Sequence, residues 1–270
     1  MDLKFIIPIA ISAILMFWGQ MQYKTKGKDW GRPLAGIFAI ICCILAISSV
    51  LYSTLFKDQL MSKSYMDKHV QYLNISHTIF GKHVAEKQAG MKAIIIYPKP
   101  SSNEQGQKMH QASIETFKTQ ISGKIEIVDS YEWDSSPKTG GPEEGPGMGM
   151  ETILTAEIFE EILSDFSDYD LIISFIGLPE DFKSLKYWAE EYDGEIPKFV
   201  LINSAAYEFK PGIMAGHFVS ILHNKPIRFD FEAPIPKDPQ VAFDARYIII
   251  TPENIQALEK EISNLFQKEE

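Results

Sequence analysis

The chain has 270 residues, 45% of them hydrophobic and 23% charged, an ordinary balance for one good-sized folded domain or two small ones. Its charge is unevenly placed: residues 1–90 carry 10 Lys or Arg against 5 acids, and the remainder carries 16 against 31. An acidic body with that excess repels a phosphate backbone and holds no RNP-like, helix-turn-helix or zinc-finger spacing, so nucleic acid is excluded as a partner.

Two uncharged apolar runs open the chain, residues 5–21 (FIIPIAISAILMFWGQM) and 34–56 (LAGIFAIICCILAISSVLYSTLF). A bilayer core needs about 20 apolar residues as helix, so residues 1–56 are expected to form a transmembrane hairpin whose first partner is the lipid bilayer. A cleaved signal peptide is the alternative for the first run. Trp18, Gln20, Met21 and Gln22 match a small-x-small cleavage site poorly, whereas Trp18, Tyr23 and Trp30 suit an interfacial aromatic belt. Pro8 falls in the first turns, where a helix tolerates it best. Cys42 and Cys43, adjacent inside the second run, can form neither a disulfide framework nor a CxxC metal site and read as lipid-facing or helix-packing residues. Lys24, Lys26, Lys28 and Arg32 crowd the loop between the runs, which places that loop in the cytoplasm and the body outside it, although Lys57, Lys63 and Lys68 follow the second run.

Residues 57–90 contain no proline and read as a helical stalk. Met66, Val70, Leu73, His77, Phe80 and Val84 recur at alternating fours and threes, a narrow apolar stripe. Unbroken, such a helix reaches roughly 50 Å from the membrane at about 1.5 Å per residue, and Gly81 and Gly90 are candidate hinges. The stripe either docks a protein partner, another membrane or extracytoplasmic subunit or a second copy through Met66, Val70, Leu73, Phe80 and Val84, or packs on the protein's own body. Two heptads are too few to establish a coiled coil. His77, with no ligand partner nearby in sequence, reads as a hydrogen-bonded interfacial histidine.

From Met91 the pattern turns to strands separated by helices, a soluble domain over 91–270. KAIIIYP (Lys92 to Pro98), KIEIVDS, DLIISFIGLP (Asp170 to Pro179), KFVLINS (Lys198 to Ser204) and RYIIITP read as strands. GQKMHQASIETFKTQISG, residues 151–166, EDFKSLKYWAEEY and QALEKEISNLF read as helices. GIMAGHFVSILHN is either one helix or a short helix followed by a strand; Gly216 and Asn224-Lys225-Pro226 bracket a run of strand length and favour the strand. RFDFEAPIPKDPQVAFD reads as an irregular, proline-punctuated excursion. Short, nearly continuous apolar strands alternating with helices predict an α/β fold, Rossmann-like or flavodoxin-like, with five or six mostly parallel strands covered on both faces.

Ligands of such sheets bind beyond the carboxyl ends of the strands, here Pro98 to Asn103, Asp129 to Met150, Gly177 to Asp181, Asn203 to Tyr207 and Thr251 to Asn254. Gly177, Asn203, Ser204 and Thr251 are the candidate ligand-binding residues. The glycine loop TGGPEEGPGMGM (Thr139 to Met150) has the look of a phosphate cradle, but about 20 residues separate the end of its strand near Ser130 from the helix, where about 2 to 6 are usual. It lacks GK[ST] and the G-x-G-x-x-G spacing, and Glu143, Glu144 and Glu151 stand where a phosphate would sit. It reads as a lid or docking loop. Asp129, Glu132, Asp134, Glu143 and Glu144 show no EF-hand spacing and read as a solvated acidic cluster, so no metal is expected. Ser174 lies inside a strand rather than a G-x-S-x-G elbow, and nothing in the spacing of Ser204, His217 and His223 demands a catalytic pairing. Thr251-Pro252-Glu253 reads as a helix start with Thr as N-cap. No catalytic residue and no cofactor is assigned.

AIIIYPKPSS, IEIVDS, DYDLIISFIGLP and KFVLINS, each set between helices, resemble the strand-helix units of one lobe of a periplasmic-binding-protein-like domain over residues 91–266. Members of that family hold ligands between two lobes, and five or six strands make one. The resemblance therefore implies a lobe reused as a scaffold or accessory subunit of a membrane-associated assembly, or alternatively a ligand-sensing or substrate-binding lobe of a transport or signalling system.

Overall fold

The computed structural model describes residues 3–52, 58–136, 153–202, 204, 206–227, 230, 233–262 and 265–266. The chain divides into two compact units, Met1–Asp67 and Lys68–Glu270.

The first unit is a helical hairpin of α1 (Leu3–Lys26) and α2 (Gly31–Leu51). Each contains a 21-residue stretch long and apolar enough to cross a membrane. Its exposure pattern is the reverse of a soluble helix pair: Ile14, Phe17, Ile40 and Ile47 face outward, while Ser12, Gln22 and Ser49 are buried. The helices approach closely at Gly31, where an added Cβ would stand 2.5 Å from Gly19 O and 2.7 Å from Tyr23 N, the small-residue contact that lets helices pack in lipid. Cys42 Sγ reaches Ile9 O at 3.6 Å and Cys43 is exposed, so one cysteine packs between the helices and the other points away.

The second unit is built on a six-stranded sheet in the order β2-β1-β3-β4-β5-β6. The strands are β1 (Lys92–Pro98), β2 (Glu126–Trp133), β3 (Leu171–Ser174), β4 (Lys198–Ile202), β5 (Phe218–Asn224) and β6 (Tyr247–Ile250). The first five run parallel, and β6 is antiparallel to β5. The fold is α/β with a mostly parallel sheet. Successive residues of β1 divide between its faces: Ile94 and Ile96 join one core, and Ala93, Ile95 and Tyr97 the other. Both faces are therefore covered. Phe159 of α6 (Ala156–Ser164), Phe209 and Ile213 of α7 (Ala206–Met214) and Ile255 of α9 (Ile255–Glu261) pack on the first. The second carries α3 (Asp58–Lys87), α5 (Thr116–Ile121) and α8 (Pro239–Asp244) through Phe80, Val84, Phe117, Ile121 and Phe243, whereas α4 (Glu104–His110) contributes no buried residue. One π-helical turn, Gln111–Glu115, joins α4 to α5.

Three expectations change. The stripe of residues 57–90 is no free stalk: Leu73, His77, Phe80 and Val84 are buried, the last two completely, because α3 is the helix that covers β1 and β3 on this face. Leu73, Phe80 and Val84 are accordingly unavailable as partner-docking residues, while Met66 and Val70 remain partly exposed. The compact α/β unit begins at Lys68 rather than Met91. Second, EDFKSLKYWAEEY forms two short 3-10 turns, Phe182–Ser184 and Lys186–Trp188. Its core residues Phe182, Leu185 and Tyr187, with Trp188 half-buried beside them, do not share one helical face, and the chain breaks at Leu185 (ψ 140) to point them all inward. Third, the proline-rich excursion contains α8, capped by Asp238, whose carboxylate accepts from Gln240 N at 2.8 Å, with Pro239 in the first turn. The run bracketed by Gly216 and Asn224 is the strand β5, as its length indicated.

Candidate functional site

At β1 the chain crosses first to β2 on one side and then to β3 on the other, so the connections leaving β1 and β3 diverge and open a crevice at the sheet's carboxyl edge. A cleft of about 350 Å³ lies there. Its floor is the Pro98–Ser101 segment after β1 and Phe175 after β3; its walls are Leu73 and His77 of α3, Met109 and His110 of α4, and Ser113 and Ile114 of the π turn. Asn103 caps α4 by accepting from Gly106 N at 2.7 Å, which fixes how this helix leaves the loop. The π turn matters locally, because such an inserted residue rotates side chains off the helical register and recurs at functional sites.

Most polar groups of the cleft are already engaged. Lys99 Nζ pairs with Asp134 at 2.8 Å, and Ser113 Oγ donates to Met109 O at 2.8 Å. Two ring nitrogens are not: His77 Nε2 and His110 Nδ1 are buried without a hydrogen-bond partner among the described residues. His77 Nδ1 lies 2.7 Å from Leu73 O, which requires that Nδ1 carry the proton and leaves Nε2 with its lone pair. The ring lies flat against Phe175, with centroids 5.7 Å apart at 9°. Burial drives its pKa down to about 4, partly opposed by the Leu73 bond, so the imidazole is neutral at physiological pH. The histidine is thus interfacial, as expected, but only half satisfied.

Of the four candidate ligand residues, the structure brings two together. An added Cβ on Gly177 would stand 3.3 Å from Ser204 Oγ, and that hydroxyl is buried and without a partner among the described residues. Gly177 has φ +74, and its carbonyl accepts from Ser174 Oγ. Asn203 lies outside the described residues. Thr251 does not belong to this rim: β6 runs antiparallel, with Ile250 beside Ile221 at the middle of β5 and the chain heading toward the start of that strand, so Thr251 stands toward the opposite edge of the sheet. It does not cap α9 either, where Asn254 is the N-cap. Neither Gly177 nor Ser204 lines the cleft. His223 Nδ1 meets the Ser204 carbonyl at 2.9 Å, a backbone contact rather than a Ser-His pairing through the hydroxyl.

The glycine loop, with Glu143, Glu144 and Glu151, lies outside the described residues. The start of α6 is described: Thr155 Oγ1 accepts from Ile158 N, and the Asp181 carboxylate accepts from Ala156 N at 2.8 Å. A carboxylate already holds the amide a phosphate would need. Asp134 pairs with Lys99, Asp129 accepts from Ser130 N, and Glu132 from Tyr97 Oη. Among the described residues no group of three or more His, Cys, Asp or Glu could hold a metal.

The Pro98 to Asn103 end of this cleft was visible in the sequence as a strand terminus. Met109, His110 and Ser113 were not: they sit in what reads as one regular helix, and only the strand order brings them beside His77.

No family model matches the sequence, and no curated protein matches it. Solved structures are similar at low identity. They include an arabinose binding protein from Geobacillus stearothermophilus (12% identity, 68% of this chain and 62% of that one, TM-score 0.37). A carbohydrate transporter from Acidothermus cellulolyticus in complex with myo-inositol gives 10% identity, 72% and 62% coverage and a TM-score of 0.39. A periplasmic ribose ABC transporter from Conexibacter woesei gives 14%, 70% and 60%, and 0.40. The chain spans about 60% of the length of these proteins. The weak resemblance to a periplasmic-binding-protein-like lobe is one of strand and helix arrangement alone.

Proposed function

We propose that Lys68–Glu270 is a small-molecule-binding lobe, sensing or delivering a ligand, anchored by the hairpin and held on the extracytoplasmic side. The observation that carries this reading is the cleft of about 350 Å³ at the strand crossover, with two buried imidazole nitrogens lacking partners. Concave, mostly apolar pockets with a few convergent polar groups at such crossovers are where ligands bind. Support for the anchor comes from the outward-facing apolar residues of α1 and α2, and for the orientation from the basic loop between them.

The test is a thermal-shift screen of the full-length protein in lipid nanodiscs. A ligand that binds only the native state raises the melting temperature, by the equivalent of about 2.7 kcal/mol at a hundredfold excess over Kd. The reading predicts at least one such ligand whose shift disappears when Met109 is replaced by Trp to fill the cleft. A screen with no cleft-dependent ligand overturns it. Protease access in sealed vesicles tests the orientation separately.

An accessory-subunit role keeps one observation of its own. β2 is an edge strand with Ile127 and Val128 exposed, a surface to which another strand can pair. Stoichiometric co-purification of another protein, lost on Val128→Lys, would favour that role.

A further inference from the structure

We infer that the turn joining α1 to α2 holds the headgroup of an anionic phospholipid, with Lys28 and Arg32 as its main contacts and Lys24 and Lys26 adding to the local charge. This rests on the hairpin being a membrane anchor and names the lipid that the anchor selects.

The charge of the turn leads there. Residues 24–32 carry Lys24, Lys26, Lys28 and Arg32 against the single acid Asp29, and all five side chains are exposed. Among the described residues none of the four cations makes an ion pair, whereas Lys87, Lys92, Lys99 and Lys210 of the second unit each meet a carboxylate. The turn is therefore a concentration of positive charge that the protein itself leaves unneutralised.

The aromatic residues set its depth. Lys28 Nζ lies 5.8 Å from the centroid of the Trp30 ring, and Arg32 Cζ lies 6.0 Å from that of Tyr23. Trp30 in turn stands 5.5 Å from Trp18. Such rings settle at the headgroup level of a bilayer, so the two cations that lie over them are held at the level of the lipid phosphates. The close helix contact at Gly31, where an added Cβ would stand 2.7 Å from Tyr23 N, keeps Arg32 beside that ring. A guanidinium over a ring still presents its edge, and its paired N–H donors match two phosphate oxygens. A zwitterionic headgroup brings a cation of its own into this cluster, and an anionic one brings only the charge that is missing. The two apolar helices deliver a bilayer to the turn, which makes lipid rather than a soluble anion the occupant.

The test uses full-length protein in vesicles of phosphatidylcholine and phosphatidylglycerol, with bromine on the acyl chains of one lipid or the other. Bromine quenches tryptophan at short range, so Trp18 and Trp30 report the lipids beside them, and a Trp18→Phe/Trp30→Phe variant supplies the background from Trp133 and Trp188. The expected result is an apparent association with brominated phosphatidylglycerol about fivefold that with brominated phosphatidylcholine, declining as salt is raised and lost in Lys28→Gln/Arg32→Gln. Inorganic phosphate at constant ionic strength should leave the preference unchanged. Should the double variant not insert, the lipid comparison and the salt series on the native chain decide alone. Equal quenching by the two lipids overturns the proposal and leaves the anchor standing. A preference that survives in the double variant overturns the residue assignment, and one that phosphate displaces makes the turn a site for free anions instead. No quenching by either lipid removes the anchor as well.

Discussion

His77 concentrates several constraints in one side chain. It is 1% exposed, stacked on Phe175 and hydrogen-bonded through one nitrogen only. Its pKa is depressed from 6.5 to about 4 by desolvation, so the unfolded chain takes up the proton first as pH falls. The stabilisation is therefore complete above about pH 6.5 and is lost progressively down to about pH 4. The full loss amounts to about 3 kcal/mol. His69 and His83, also depressed mainly by burial and also on α3, add in the same direction. Urea unfolding at pH 7 and pH 4.5 should show a larger drop for the native chain than for His77→Phe, and equal drops would refute the assignment. Gly177 poses a backbone constraint instead. At φ +74, with Ser204 Oγ 3.3 Å from an added Cβ, Gly177→Ala should cost about 1–3 kcal/mol. A midpoint shift in the same urea titration, with unchanged slope, is the expected readout.

At the scale of elements, α3 departs most from its sequence reading. A stripe at heptad-like spacing looks the same whether its partner is another protein or the chain's own sheet, because periodicity specifies an apolar face and not what covers it. Here the face meets Ile95, Phe117 and Ile121, and Gly81, read as a hinge, lies inside the continuous helix. Phe80, with no exposed surface and the rings of Phe117 and His83 at 5.9 Å and 6.5 Å, should cost about 3–5 kcal/mol on Phe80→Ala. Were Phe80 a docking residue, the same substitution would leave the melting temperature unchanged and abolish a partner contact, so calorimetry separates the two. The 3-10 turns at Phe182–Ser184 and Lys186–Trp188 teach the complementary point: the segment reads as a helix, but burial of Phe182, Leu185 and Tyr187 took precedence.

For the whole molecule, the boundary of the folding unit matters to any experiment. A fragment beginning at residue 91 discards Tyr72, Phe80, Val84 and Ala85 and uncovers one face of β1 and β3. It should be aggregation-prone and lack a cooperative thermal transition, whereas 68–270 should melt cooperatively; circular dichroism and size-exclusion chromatography of the two fragments check this. The sequence alone determined a good deal: the apolar runs of the hairpin, the β-branched strands Ile94 to Ile96 and Leu171 to Ile173, the strand bracketed by Gly216, and hence an α/β sheet covered on both faces. Local composition and period decide those features. Three things only the tertiary structure decided. The order β2-β1-β3 places the crossover, and with it the cleft, between loops more than 70 residues apart. The reversed direction of β6 removes Thr251 from the rim. The seating of α3 turns a stripe that could have met a partner into a core wall and carries His77 to the cleft. Each depends on pairing between distant segments, and a chain's local pattern encodes which residues must be buried without encoding against which others.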